Sequence, residues 1–339
     1  MKKVFLKSVS IFFVFIFVML CNKANAFSEE KITTMEAPKD ATYSVNMNKL
    51  LNSDGKIMEY DAKTNSTTEV DKSKLRQALS QQISKQDIYE IPGYFPQQSK
   101  EKESLDSRTI LRASASSAER IYDTSVARYR ATCRIEANDT KSDKIVTGTG
   151  FLVGPNLAIT AAHCVFNGDD NNQKYPNWNI FAAYNNGHIY SGADVCGWTK
   201  VYYYNSWLEN HDSNYDLALC VLGENVGNQV GYYGLRVYSS DSVLNGTAVD
   251  LQGYPSNSSE GFANGGYNQY KTSGKVTSVS ERSFKGNFYG TNGFSGGPVL
   301  PSDNPYTVLG VYCGYTGIFK NAFSVRITED VSNLVSNLR

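Results

Sequence analysis

From about residue 125 onward, short apolar runs alternate with clusters of Gly, Asn and Ser. ATCRIEA alternates apolar and polar positions, and TGTGFLV and LAIT flank Gly154-Pro155-Asn156, a hairpin signal. YDLALCVL, AVDLQGYP, SGKVTSVS, VLGVYCGY and AFSVRI follow at modest spacing. Many short strands divided by turn residues predict an all-β sandwich or barrel. Helical spacing is clear only at the end. TEDVSNLVSNL sets Val331, Leu334, Val335 and Leu338 on one face, so a C-terminal helix is predicted over 328–339. Thr328 is suited to cap it, and Glu329 and Asp330 fall in the first turn, where the helix dipole favours acids.

The N-terminal third reads differently. MKKVFLK is basic, VSIFFVFIFVML is apolar and ANA ends at Ala26. That order predicts a secretory signal peptide over 1–26, and the apolar run is short for a membrane span. Leu20 before Cys21 is too bulky for a lipid-modified cysteine site. Residues 27–120 hold no Cys, Trp or His; they include the polar, partly helical STTEVDKSKLRQALSQQISKQD and a linker-like PQQSKEKESLDSR. The simplest reading is a removable pro-region whose end lies between 107 and 121, with Arg112-Ala113 and Arg120-Ile121 as equal cut sites; a small separate domain is the alternative. An exported, extracellular, monomeric protein without a membrane anchor after processing is expected.

The chain of 339 residues carries 33 Lys+Arg and 33 Asp+Glu, with no basic run, which argues against a nucleic-acid partner. Of six cysteines, Cys21 falls in the signal, leaving Cys133, Cys164, Cys196, Cys220 and Cys313. Export permits disulfides, and the odd number leaves a thiol over. No CxxC pair occurs, so no zinc site and no cofactor are expected. NGDDNN (167–172) has oxygen ligands of the calcium type but reads as a solvated loop.

The candidate chemistry centres on TNGFSGGPVL (291–300), where Ser295 lies among Gly293, Gly296 and Gly297. Such a loop is either a tight turn or a nucleophile whose backbone N–H groups face a substrate oxygen. A serine nucleophile needs a base, and the base needs a carboxylate to fix its tautomer. Of three histidines, His188 and His211 lie in polar loops, whereas His163 follows the strand-like LAIT in LAITAAHCVF. Asp216 stands at the mouth of the apolar run in NYDLALCVL; Asp212 is the reserve. GFSGG also fits a nucleophile elbow, but that fold needs its His after its Ser, and none follows Ser295.

TAAHC, YDLAL and GFSGGPV, in that order, resemble the chymotrypsin-like serine peptidases. NYDLALCVLGENVGNQVGYYGL, VDLQGYP and GVYCGY…SVRITEDVSNL are similar to the bacterial glutamyl endopeptidases. The resemblance covers about 125–339, within a peptidase domain of 121–339. It implies two antiparallel six-stranded barrels, about 125–225 and 245–327, with the site between them. His163, Asp216 and Ser295 would be the catalytic triad, and the N–H groups of Gly293 and Ser295 the oxyanion hole. Polypeptides would be the substrates. Tyr289, Gly290, Thr291 and Tyr312 would line the substrate pocket, with Tyr312 where this group often carries a histidine for glutamate. Tyr312 brings no charge, so an apolar or mixed pocket is an equal reading. Cys133–Cys164 and Cys196–Cys220 are candidate disulfides, and the pairing stays open. Phe294, where trypsin-like zymogens carry an Asp, removes their ammonium switch. The alternatives are a catalytically silent relative, a binding protein or toxin-like factor, and a hydrolase using Cys164 or Cys313.

Overall fold

The computed structural model describes residues 32–34, 55–76, 87–96, 118–139, 141–142, 144–257, 262, 266–316 and 321–339. The signal peptide, Arg112-Ala113 and most of the 107–121 window lie outside the described residues. Thr33–Arg339 form one unit. Among the described residues no helix is long and apolar enough to cross a membrane.

The N-terminal segment contributes β1 (Ile57–Asp61), β2 (Ser66–Glu69), α1 (Lys72–Arg76), β3 (Ile88–Ile91) and β4 (Glu119–Arg120). The first barrel follows: β5 (Thr132–Asn138), β6 (Ile145–Gly154), β7 (Leu157–Thr160), β8 (Asn179–Ala182), β9 (Trp198–Tyr204) and β10 (Ala218–Leu222), with α2 (Asn205–Asn210) between the last two. Its strands run β8-β5-β6-β7-β10-β9, and a bridge from Ile180 to Cys196 draws the two ends together. The 154–156 hairpin forms as the sequence predicts, with Gly154 opposite Leu157.

After β11 (Gly234–Tyr238) comes the second barrel: β12 (Ala248–Gly253), β13 (Tyr270–Val279), β14 (Ser283–Gly286), β15 (Pro298–Pro301), β17 (Gly310–Thr316) and β18 (Asn321–Arg326). The short β16 (Thr307–Val308) leaves this barrel to pair with β11. The order β12-β15-β17-β18-β14-β13 is closed by pairing β12 with β13. Both barrels therefore have six antiparallel strands. Period-2 alternation feeds two cores: Ile135, Phe151, Ile159 and Leu219 lie in the first, and Val249, Leu251, Val276 and Val299 in the second.

The C-terminal helix α3 spans Glu329–Leu338 and buries Val331, Leu334 and Val335. Thr328 holds the N-cap position, but its hydroxyl makes no capping bond, contrary to expectation. The acidic first turn is used instead: Asp330 takes Lys72 at 3.4 Å and Arg282 at 3.1 Å.

Neither candidate disulfide is formed: Cys133, Cys164, Cys196, Cys220 and Cys313 are all free and buried. Register explains this. Cys133 lies opposite Gly150 of β6, which separates it from β7 and the turn that carries Cys164. Cys220 faces Val201 and Ala158, while Cys196 lies before the start of β9 and bridges Ile180.

Candidate active site

His163 sits in a 3-10 turn, Ala162–Cys164, directly after β7. Small Ala161 and Ala162 are fully buried, which seats this turn against the barrel end. Asp216 follows a second 3-10 turn, Ser213–Tyr215, just before β10. Strands β7 and β10 are paired neighbours, so the two residues emerge side by side. Both are 2 % exposed. Asp216 Oδ2 lies 2.6 Å from His163 Nδ1, and Asp216 Oδ1 accepts the His163 backbone N–H at 2.9 Å. One carboxylate thus fixes both the ring and the main chain beneath it. Burial alone would lower the His163 pKa; the Asp216 charge overrides it and holds the ring well above its ordinary value. Trp207 of α2 packs beside the ring, with centroids 6.3 Å apart. Nε2 is buried and has no hydrogen-bond partner among the described residues.

Asp212 is a cap, not a competitor: its carboxylate accepts the Asn214 N–H at 3.0 Å. His188 lies in a surface loop, and His211 bonds Asn172. Asn167 and Asn172 of the 167–172 loop donate to Asp139 and to the Leu208 carbonyl, so these side chains tie the loop to its neighbours.

Ser295 stands on the loop before β15 and is pinned to the first barrel. Its carbonyl accepts from the Thr149 N–H at 2.8 Å and from Cys164 Sγ at 3.5 Å. Gly296, at φ +83°, lies so close that a Cβ would strike Thr149 O and Thr160 Oγ1. The loop therefore abuts the turn that carries His163.

The two expected oxyanion donors are aimed by the opposite ends of their own peptide planes. In a trans peptide the C=O and the next N–H point apart. The Asn292 carbonyl accepts from Ser256 N at 3.0 Å, so the Gly293 N–H faces away from Ser256. The Phe294 carbonyl accepts from Gly297 N at 2.8 Å, which turns the Ser295 N–H outward in the same manner. Among the described residues neither N–H has an acceptor. Gly293 adopts φ +90°, and a Cβ there would strike Tyr254 O. Such a geometry is a ready seat for an oxyanion.

Sequence reasoning missed Thr149. This fully buried residue of β6 donates from Oγ1 to the Gly293 carbonyl at 2.6 Å and accepts the Tyr254 N–H at 3.0 Å. Its one sequence signal is a hydroxyl between glycines in an apolar strand, and nothing local reveals a partner 144 positions away.

Tyr312 of β17 is fully buried, with Gly290 lying flat against its ring. Thr291 accepts from the Asn257 amide at 3.2 Å, and Tyr289, half-buried, stacks near Phe262. Phe294 is sealed edge-on against Tyr312 and Phe262, which leaves no seat for an activating ammonium there. The thiols do not compete with Ser295 either. Cys313 Sγ donates to the Asp216 carbonyl at 3.1 Å, and burial pushes its pKa well up.

Residues 148–311 match the trypsin-like peptidase domain. The chain is 28 % identical over 229 residues to the glutamyl endopeptidase of Bacillus licheniformis, covering 64 % of this chain and 66 % of that one. It is 34 % identical over 136 residues to a Bacillus subtilis protein named extracellular metalloprotease, covering 40 % of this chain and 42 % of that one. The chain thus spans less than two thirds of either relative. Among solved structures, a Glu endopeptidase in complex with MPD aligns with TM-score 0.55 at 22 % identity, over 65 % of this chain and 95 % of that one. A thermostable serine protease, AL20, from an extremophilic microorganism aligns with TM-score 0.52 at 20 % identity, over 63 % of this chain and 100 % of that one. The chain carries a trypsin-like peptidase domain in a chymotrypsin-like two-barrel fold and is a homologue of glutamyl endopeptidase.

Proposed function

We propose that this chain is an exported serine endopeptidase using His163, Asp216 and Ser295. Ser295 attacks the scissile carbonyl, His163 takes its proton and returns it to the leaving amine, and Asp216 steadies the imidazolium. Gly293 and Ser295 N–H stabilise the oxyanion, each such donor contributing about 3 kcal/mol. Water then releases the acyl group through the same proton relay. The observation that carries this reading is the buried His163–Asp216 pair, with Nε2 unpaired, beside a loop whose two N–H groups are aimed and unused. A fluorophosphonate should label the processed protein, and Ser295→Ala should abolish the label. Equal labelling of Ser295→Ala would sink it. The silent-binder alternative requires no labelling of the wild type at all.

The name of the Bacillus subtilis relative raises metal-dependent hydrolysis. Among the described residues no three His, Cys, Asp or Glu are grouped to hold a metal ion. Full activity in a chelator separates this reading from the serine one.

Glutamate before the cut is the finer reading, carried by the Bacillus licheniformis relative. Tyr289, Thr291 and Tyr312 offer hydroxyls without a cation, and a buried carboxylate is costly without charge. Glutamine should therefore be accepted within about tenfold of glutamate, since a neutral donor discriminates by little more than one hydrogen bond. A peptide library read at that position checks this.

Export as a monomer and removal of the N-terminal region complete the proposal. Arg120 lies in β4, paired with Tyr270, and the Ile121 N–H donates to Gln269 O, so the Arg120–Ile121 bond is held inside a ladder. This favours a cut upstream of residue 118. N-terminal sequencing of the exported protein tests it.

A further inference from the structure

The segment before the peptidase domain does not stand apart from it. β1 adds to the outer edge of β9 in five consecutive pairs, from Lys200 opposite Asp61 to Tyr204 opposite Ile57. The ladder continues past both ends, with Asn205 N donating to Lys56 O and Ala62 N to Thr199 O. Ile57 is buried to 2 % in the first barrel's core, and Lys200 reaches Glu59 at 2.7 Å and Asp61 at 3.3 Å.

A second anchor lies on β11. β3 pairs with it from Leu235 opposite Ile91 to Tyr238 opposite Ile88, and Arg236 bonds Glu90. Beyond β3, Tyr94 and Tyr232 exchange both backbone hydrogen bonds. Phe95 packs edge-on against Tyr233 and Tyr306. Arg339, the last residue, donates to Pro92 O at 2.7 Å, and Arg130 to Pro96 O at 2.8 Å. Two strand additions, two buried isoleucines and three arginines make a docking surface of the strand-addition type, in which main-chain bonds give affinity and side-chain pockets give register.

We infer that segments 55–76 and 87–96 remain on the peptidase domain as a separate, non-covalently held strap after the chain is cut, docked on the edges of β9 and β11. This rests on the proposed removal of the N-terminal region and changes its outcome: the linker is severed, but the strap stays. The strap also reaches the site. Gly55 lies against the Tyr215 ring and Arg282, and Tyr215 precedes Asp216, so losing the strap unsupports the turn that presents the acid.

The test separates the strap from natural processing. A recognition sequence for a specific protease is inserted near residue 110 of full-length Ser295→Ala protein, which is then cut in native buffer. Both pieces should co-elute on size exclusion and separate only in denaturant. Elution of the two pieces apart in native buffer overturns the inference. Glu59→Lys with Asp61→Lys, which repels Lys200, should speed strap release by about tenfold while leaving both cores intact. Ile57→Asp should release it faster still, and if that variant does not fold, the surface pair decides. Release unchanged by both variants also overturns the inference. N-terminal sequencing of the exported protein reads natural processing independently of either result.

Discussion

The two barrels hold their shares of the site in opposite ways. The first supplies a directly bonded pair: Asp216 binds both the ring and the backbone of His163, in turns at the adjoining ends of neighbouring strands, and Cys313 of the second barrel donates only to the Asp216 carbonyl. The second offers Ser295 on a loop of turns whose placement is set from across the seam, by Thr149 and Cys164. His163 and Asp216 are thus placed mainly by one barrel's folding, whereas Ser295 and the Gly293 and Ser295 N–H groups are placed by barrel assembly. Damage to the seam at Thr149 should reach Ser295 and its loop far more than the His163–Asp216 pair.

The largest effect belongs to Ser295, the proposed nucleophile. Ser295→Ala should lower kcat by about a million-fold while leaving the thermal midpoint nearly unchanged. Asp216→Asn comes next, at about ten-thousand-fold in kcat, because the asparagine amide imposes the wrong tautomer on His163. Thr149→Val is the direct probe of the seam. It removes the donor to Gly293 O and the acceptor for Tyr254 N, so kcat should fall by about 10- to 100-fold, the cost of about 1–3 kcal/mol for buried groups left unpaired. KM and the pH profile should stay as in the wild type, and Thr149→Ser should restore most of kcat. A Thr149→Val profile displaced along the pH axis would break the division between the barrels.

The smallest effect is the position of that profile. The base must be neutral, so kcat/KM should rise with pH through a midpoint above the ordinary histidine value of about 6.5. In Asp216→Asn the limb should move to lower pH. The same raised pKa means that the folded state binds this proton more tightly than the unfolded chain. The His163 contribution to stability is therefore complete below about pH 6.5 and is lost as pH rises through the folded value.

The strand pattern and the chain order of His163, Asp216 and Ser295 were open to reading because each rests on local facts: alternation, turn residues, the position of three histidines. What escaped rests on register. Cys133 and Cys164 look like partners along the chain, yet a strand lies between them. Thr149 gives no local sign of the residue it orients. Residues 27–120 read as removable because they are polar; among the described residues of 55–76 and 87–96, Ile57 and Ile91 lie in the buried core, and their place is decided by the edges of β9 and β11, which their own sequence does not describe. The Thr328 hydroxyl makes no capping bond, and the Asp330 carboxylate ties the helix start to Lys72 and Arg282.

The five sealed thiols have a practical consequence. Each is silent toward an alkylating reagent until the region around it opens, so together they form a set of clocks distributed over both barrels. Cys133, Cys196 and Cys220 time the first barrel, while Cys164 and Cys313, each bonded across it, time the seam where the two barrels meet. Reading the order of labelling by mass spectrometry would tell which half of the molecule comes apart first.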